Sequence, residues 1–246
     1  AAPNVGAARQ FWSPGARSRR GEDPYTMTER DIEEIENTWI TMSDGCALAA
    51  RIWRPVDADR HPVPAILEYI PYRKRDQTAP RDALTHPYLA ARGYACVRVD
   101  MRGNGESEGL MHDEYTEQEH QDGLVVIDWL SRQPWCTGAV GMMGISWGGF
   151  NALQLAARQP AALKAIVTVC ASDDRFADDV HYKGGCLLNE NFSWGTTMMA
   201  FTSRPPDPAL MPERWRALWL DRLRNMPFFT ANWLSHQHRN AYWRHG

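Results

Sequence analysis

A serine with glycine two residues before it and two residues after it is the pattern of a strained nucleophile turn. It occurs twice in this chain, as Gly144-Ile-Ser146-Trp-Gly148 and as Gly105-Glu-Ser107-Glu-Gly109. In such a turn a strand runs straight into the serine and a helix leaves straight after it, which lifts the hydroxyl above the sheet edge. Glycines flank it because side chains there would collide with the neighbouring strand and helix. The chemistry is acyl transfer: the serine oxygen attacks an ester or amide carbonyl, and N–H groups at the helix start stabilise the oxyanion. Context separates the two copies. Residues 139–143 form a brief apolar strand into Ser146, and residues 150–158 read as a helix leading out. The strand before Ser107 ends early, at Asp100, and Glu106 and Glu108 would oppose developing negative charge. Ser107 is expected to be a polar turn residue. The same loop imitates a dinucleotide fingerprint, but its glycines, at 103, 105 and 109, have the wrong spacing.

The elements that must carry Ser146 follow from periodicity. Residues 39–55 are two strand-like runs around Ser43-Asp44-Gly45, a hairpin signal. Residues 64–71 read as a strand, 81–92 as a helix stopped by Gly93, and 94–100 as a strand. Residues 117–133 place Leu124, Ile127 and Leu130 at helical spacing, with Trp129 beside them. Residues 163–171 are almost wholly apolar, which suits a strand buried on both faces of a parallel sheet. Strands alternating with helices indicate an α/β fold with a mostly parallel sheet and an N-terminal antiparallel hairpin. After Ala171 the pattern changes. Residues 212–225 form an amphipathic helix with Trp215, Leu218, Trp219 and Leu223 on one side, and residues 228–238 suggest another. Residues 1–30 are polar and expected to be loose.

Composition narrows the function classes. The chain has 246 residues, 43% hydrophobic and 23% charged, enough to bury a core without disulfide or metal staples. Its net charge of −3 provides no field that would draw it to nucleic acid or to an anionic membrane. No apolar stretch is long enough to span a bilayer. The five cysteines form no CxxC pair and no zinc-spaced cluster. Cys96 and Cys170 lie in apolar runs and are expected in the core, and a reducing, cytoplasmic location is the simpler reading. No metal or cofactor is expected.

With Ser146 placed, longer segments become recognisable. The chain resembles the CocE/NonD hydrolases, which include cocaine-esterase-like enzymes, Xaa-Pro dipeptidyl-peptidases and α-amino-acid ester hydrolases. The resemblance is carried by residues 39–55, Ile70-Pro-Tyr72-Arg-Lys, and residues 93–109, 127–150 and 172–185, and it covers roughly residues 31–246. It implies an α/β-hydrolase fold and a small ester or amide substrate. Ser146 would form the acyl-enzyme. Tyr72 would donate one oxyanion hydrogen bond and the Trp147 main-chain N–H the other. Tyr69, the nearby competitor, lies within its strand rather than after it. Asp179 falls where α-amino-acid ester hydrolases place an acid that binds the substrate ammonium, although Asp178-Asp179 is a word shared across the wider group. The alternatives are Xaa-Pro dipeptidyl aminopeptidase activity, or a non-catalytic binding relative lacking a triad.

A serine of this type needs a histidine base oriented by an acid. After Ser146 the histidines are His181, His236, His238 and His245, and none follows a recognisable sheet strand. The resemblance therefore places the catalytic Asp and His beyond Gly246, followed by a C-terminal β-sandwich. Residues 31–171 would be the first part of the hydrolase core and 172–246 the start of a helical cap. On this reading the chain is an N-terminal fragment, inactive alone, with a sheet edge left unpaired.

Overall fold

The structure is a computed structural model that describes residues 10–12 and 29–245. Of the stretch expected to be loose, residues 10–12 form strand β1 (Gln10–Trp12), and residues 1–9 and 13–28 lie outside the described residues. Strands β2 (Ile32–Thr41) and β3 (Ala47–Pro55) make the expected antiparallel hairpin. Its turn closes through Met42 N–H to Cys46 O at 2.8 Å, with Gly45 at φ +86°. Then follow β4 (Val63–Ile70), α1 (Ala79–Ala90), β5 (Ala95–Asp100), α2 (Glu117–Ser131), β6 (Cys136–Ile145), α3 (Trp147–Ala157) and β7 (Leu163–Val169). The sheet order is β1-β2-β3-β5-β4-β6-β7. The β5-β4-β6-β7 half is parallel, and β3 joins it antiparallel through β5.

The core forms where the middle strands meet helices. All six residues of β5 are buried. On one face Leu67, Val97 and Val99 pack with Val126, Ile127 and Leu130 of α2 and with Phe150 and Leu155 of α3. The spacing read for α2 thus delivers its apolar stripe, each fully buried side chain contributing about 1.5–3 kcal/mol. The other face holds a smaller cluster of Ile32, Trp53, Ala90, Ala91 and Cys96 under α1.

Several expectations are corrected. Strand β6 is longer than residues 139–143, and α3 starts at Trp147 rather than Phe150, so strand and helix meet at the single residue Ser146. Strand β7 is not buried on both faces: Val167 is 61% and Val169 44% exposed. Among the described residues it is the last strand in the order, with α3 packed beside it, so its apolar composition does not secure burial. Cys170 follows β7 at φ +54° and is exposed rather than a core residue.

Beyond residue 171 come the short hairpin β8 (Tyr182–Lys183) and β9 (Cys186–Leu187), then α4 (Glu190–Thr202), α5 (Trp215–Asn225), α6 (Phe229–Leu234) and a 3-10 turn, Ala241–His245. Helix α4 had no apolar stripe to announce it. Its buried residues are Asn191, Gly195, Met198 and Thr202, at helical spacing but mostly polar or small. Gly195 is required there, because a Cβ would lie 1.8 Å from Thr230 Oγ1 of α6. Helix α5 also departs from expectation. Trp215, Leu218 and Trp219 are half-buried and Leu223 is 51% exposed, whereas Arg222 is the residue α5 buries. Its guanidinium donates to the main-chain oxygens of Gly105 (2.9 Å) and Ser107 (2.6 Å), so hydrogen bonding rather than the apolar stripe seats this helix. No helix among the described residues is long and apolar enough to cross a membrane.

Candidate active site

Ser146 sits at the junction of β6 and α3 with φ +56° and ψ −121°, a conformation disfavoured for a residue with a Cβ. Its surroundings hold it there. Ser146 N–H donates to Val169 O of β7 at 2.8 Å, and Ser146 O accepts from Gly149 N–H (2.7 Å) and Phe150 N–H (3.0 Å). Both motif glycines are sterically required. A Cβ on Gly144 would lie 2.3 Å from the Gly148 carbonyl carbon, and one on Gly148 would lie 2.6 Å from Ile70 Cγ2. The next residue, Trp147, is wholly buried, and its main-chain N–H starts the helix with no intrahelical acceptor.

That N–H faces the Tyr72 phenol oxygen at 3.4 Å, and the phenol also shares a hydrogen bond with Ser146. Burial pushes the phenol up to about 12, so it remains a proton donor at neutral pH. The competitor Tyr69 is buried inside β4, its hydroxyl donating to Glu119 O at 3.3 Å. The loop after Tyr72 is pinned on both sides. Arg73, at φ +64°, ion-pairs with Asp76 and donates to the main-chain oxygens of Arg204 (3.2 Å) and Pro205 (2.7 Å). Lys74 is wholly buried. Its N–H donates to Asp100 Oδ1 at 2.6 Å and its ammonium pairs with Glu106. On the open side, Trp194 and Phe201 of α4 place ring centres 6.1 and 6.0 Å from the Tyr72 ring.

Asp179 lies close enough for its charge to act on Tyr72 and Tyr115. Its carboxyl is half-buried, and burial followed by the nearby Glu114 charge raises it above the usual range. Glu114 is wholly buried. Burial alone would raise its carboxyl, but His181 and Arg175 overcome that and hold it low. Its oxygens accept from His181 Nε2 (2.7 Å), Arg175 (3.1 Å) and Trp194 Nε1 (2.5 Å). Asp179, Glu114 and His181 place potential ligand atoms within 4.8 Å of one another, but the Glu114 oxygens are already occupied by these donors. In a second such cluster, Glu68, Asp82 and His86, the two carboxylates are engaged by Arg81 and Arg98.

No histidine among the described residues hydrogen-bonds Ser146. His181 has both ring nitrogens engaged, with Glu114 and with Asn191 Oδ1 at 2.8 Å. His236 stacks on Tyr242 and hydrogen-bonds Asn240, and His238 is exposed. The side chain of His245 lies outside the described residues. Ser107 is structural, as expected. It is wholly buried, donates to Asp100 O at 2.6 Å and accepts from Ala49 N–H at 2.9 Å.

Sequence reasoning passed over Glu119, whose carboxyl accepts from Trp147 Nε1 at 2.8 Å and from Tyr115 N–H at 2.9 Å. A signal was present: Thr116-x-x-Glu119 has the spacing of a capping box, and Thr116 accepts from Glu119 N–H at 3.3 Å, while the Glu119 carboxyl reaches Tyr115 N–H instead of the Thr116 N–H. Glu114 and Lys74 also went unread, because nothing in their spacing separates them from surface charges.

A mostly parallel sheet that carries a serine at positive φ between strand and helix, with a phenol and a main-chain N–H beside it, has the architecture of an α/β-hydrolase. Within that class the chain belongs to the X-Pro dipeptidyl-peptidase (S15) family, whose model matches residues 44–246. Among curated proteins it is similar to the cocaine esterase of Rhodococcus sp. (strain MB1 Bresler), 35% identical over 74% of this chain and 33% of that protein. The chain thus spans about a third of that relative's length. Among solved structures it is similar in fold to a CocE/NonD family hydrolase from Staphylococcus aureus, with TM-score 0.69 and 20% identity over 88% of this chain and 38% of that one. It is also similar in fold to an aminopeptidase from a marine sediment Thaumarchaeota archaeon, with TM-score 0.64 and 22% identity over 95% and 43%.

Proposed function

We propose that this chain supplies the nucleophile and oxyanion site of a serine hydrolase that cleaves a small ester or amide. The observation that carries the reading is the positive-φ Ser146 with the Tyr72 phenol and the Trp147 N–H beside it. Ser146 Oγ attacks the substrate carbonyl and forms a C–O bond. Its proton passes to a base, and the carbonyl oxygen takes the negative charge between Tyr72 and Trp147. Collapse expels the alcohol or amine, protonated in leaving, and water then hydrolyses the acyl-enzyme by the same steps in reverse order of groups. The base and its orienting acid belong, on this reading, to sequence beyond Gly246. Residues 31–171 act as core and 172–246 as a cap whose Trp194 and Phe201 wall the acyl or alcohol pocket. All five cysteines are free, which supports a reducing, cytoplasmic setting.

A finer reading rests on Asp179. Its half-buried carboxylate, beside Tyr72 and Tyr115, would pair with a substrate ammonium. That favours substrates with a free amine, amino-acid esters or N-terminal dipeptides, over plain esters.

The test is fluorophosphonate labelling of the protein expressed from its whole reading frame, with the modified residue mapped by mass spectrometry. Labelling confined to Ser146, and lost in Ser146→Ala, is expected. A well-folded protein that does not label there refutes the nucleophile. Asp179→Asn should raise KM for Ala-Pro p-nitroanilide at least tenfold while leaving p-nitrophenyl acetate within threefold. Equal effects on both would remove the ammonium reading.

A further inference from the structure

Trp147 has a second role to fill besides supplying an N–H, because its side chain is wholly buried with a polar atom that must be satisfied. The indole is wholly buried behind Ser146, against Tyr115 (ring centres 5.1 Å) and near Trp194 (6.3 Å). Its one polar atom, Nε1, donates to Glu119 Oε1 at 2.8 Å. The other carboxyl oxygen accepts from Tyr115 N–H at 2.9 Å, and Tyr115 is itself held at φ +53° with its ring stacked on Phe150 at 4.8 Å. Glu119 is fixed in turn by the α2 N-terminus, through Thr116, and by the Tyr69 hydroxyl on its main-chain oxygen. One buried carboxyl therefore ties α2, the 113–116 segment and the indole into a single rigid unit.

The indole and the main-chain N–H diverge from the same Cα, so pinning the indole at Nε1 restrains the Trp147 Cα from which the peptide plane carrying the N–H is set. We propose that Glu119 is a positioning residue for the oxyanion hole: by holding the Trp147 indole from behind, it aims the Trp147 N–H at the substrate oxygen. This rests on the reading of Ser146 and Trp147 given above and adds to it a residue that touches neither substrate nor nucleophile. Loss of an oxyanion donor costs about 100- to 1,000-fold. A donor left in place but misaimed costs less, about 10- to 100-fold.

The test is a double-mutant cycle in the protein expressed from its whole reading frame, with p-nitrophenyl acetate as substrate and fluorophosphonate labelling to count competent sites. Glu119→Ala and Trp147→Phe are each expected to lower kcat about 10- to 100-fold with KM within threefold. Together they should lose no more than the worse single variant, because both remove one link. Glu119→Gln keeps an acceptor for the indole and should recover most of the rate, so it serves if Glu119→Ala does not fold. Losses that multiply in the double variant, or Glu119 variants with unchanged kcat per labelled site, overturn the inference. A wild-type protein that fails to label at Ser146 instead overturns the underlying reading, and this inference falls with it.

Discussion

Replacing Tyr72 with phenylalanine isolates one hydroxyl. The ring has its own supports, Trp194 and Phe201, with centres 6.1 and 6.0 Å away, so the variant ring should stay in place. The hydroxyl's contact with Trp147 N–H is 3.4 Å, longer than a good hydrogen bond, and its other bond is to the half-buried Ser146, so its loss should cost only about 1 kcal/mol of stability. In the reaction the same hydroxyl meets a developing oxyanion beside the Trp194 and Phe201 rings. Losing a donor there costs about 2.7–4 kcal/mol, or about 100- to 1,000-fold in kcat. The two magnitudes differ enough to be told apart. Because burial pushes the phenol up to about 12, it is protonated through the neutral range, and the fold-loss should not change between about pH 6 and 9. The assay is hydrolysis of p-nitrophenyl acetate by the protein expressed from its whole reading frame, beside the rate of fluorophosphonate labelling and a urea melt. A Tyr72→Phe protein within threefold of wild type in both rates would refute the oxyanion assignment. A rate loss matched by a stability loss would refute the separation of roles.

Other consequences can be measured on the same material. Ser107→Ala should still label at Ser146 but lose roughly 2–4 kcal/mol in a urea melt, because Asp100 O and Ala49 N–H both lose a buried partner. An unchanged melt would refute its structural role. Lys74→Met should cost roughly 3–5 kcal/mol by stranding the Glu106 and Asp100 carboxylates, and a stability gain would refute the pinning of the Tyr72 loop. Burial raises Glu119 to about 8, against the opposing hydrogen bonds from Trp147 and Tyr115. The folded state thus keeps a proton that the unfolded chain releases near 4.5, so stability from this group falls as pH rises from 4.5 to 8. The slope is about 1.4 kcal/mol per pH unit at most. Urea melts across that window should show a shallower slope in Glu119→Gln, and parallel slopes would refute the assignment.

The sequence was most readable where local pattern and packing agree. The Asp44-Gly45 hairpin, strands β4 and β5 and the α2 stripe bury what their periodicity offered, whereas α1 buries Asp82, His86 and Ala90 and leaves Leu84 and Tyr88 exposed. It was least readable where burial depends on what lies opposite. Strand β7 has the composition of a central strand, yet its exposure is set by its place at the sheet edge. The α4 seam of Asn191, Gly195, Met198 and Thr202 has helical spacing without hydrophobicity, so no apolar stripe marks it. In the site, Ser146 was readable from strand, turn and helix together. Tyr72 was readable only through resemblance, since a tyrosine after a strand has no distinctive spacing. Glu114 looks like an ordinary acid before a helix and Glu119 like a first-turn capping acid, and only the tertiary structure buries them against Trp194 and Trp147.

The two Gly-x-Ser-x-Gly copies show how little the five-letter pattern decides by itself. In the first, the glycines answer to each other: Gly144 must clear Gly148 so that strand and helix can meet, and the serine between them takes φ +56°. In the second, the glycines answer to the backbone and to Asp100. Gly105 and Gly109 take φ +52° and +74°, and a Cβ on Gly105 would lie 1.9 Å from Asp100 Oδ2. The positive dihedral has moved from the serine to the glycines, and Ser107 turns inward to bond β3 and the end of β5. The intervening glutamates tie the loop to its surroundings, Glu106 buried against Lys74 and Asp207 N–H, Glu108 half-buried against Ala47 N–H and Arg214. Arg222 inserts between the loop's carbonyls. One copy spends its glycines on exposing a nucleophile, and the other on a seat that joins α5 and the 204–207 loop to the turn bearing Tyr72. The residue that distinguishes them in sequence is the one after the serine: Trp147, which can be buried behind a helix start, against Glu108, which cannot be buried there without a partner.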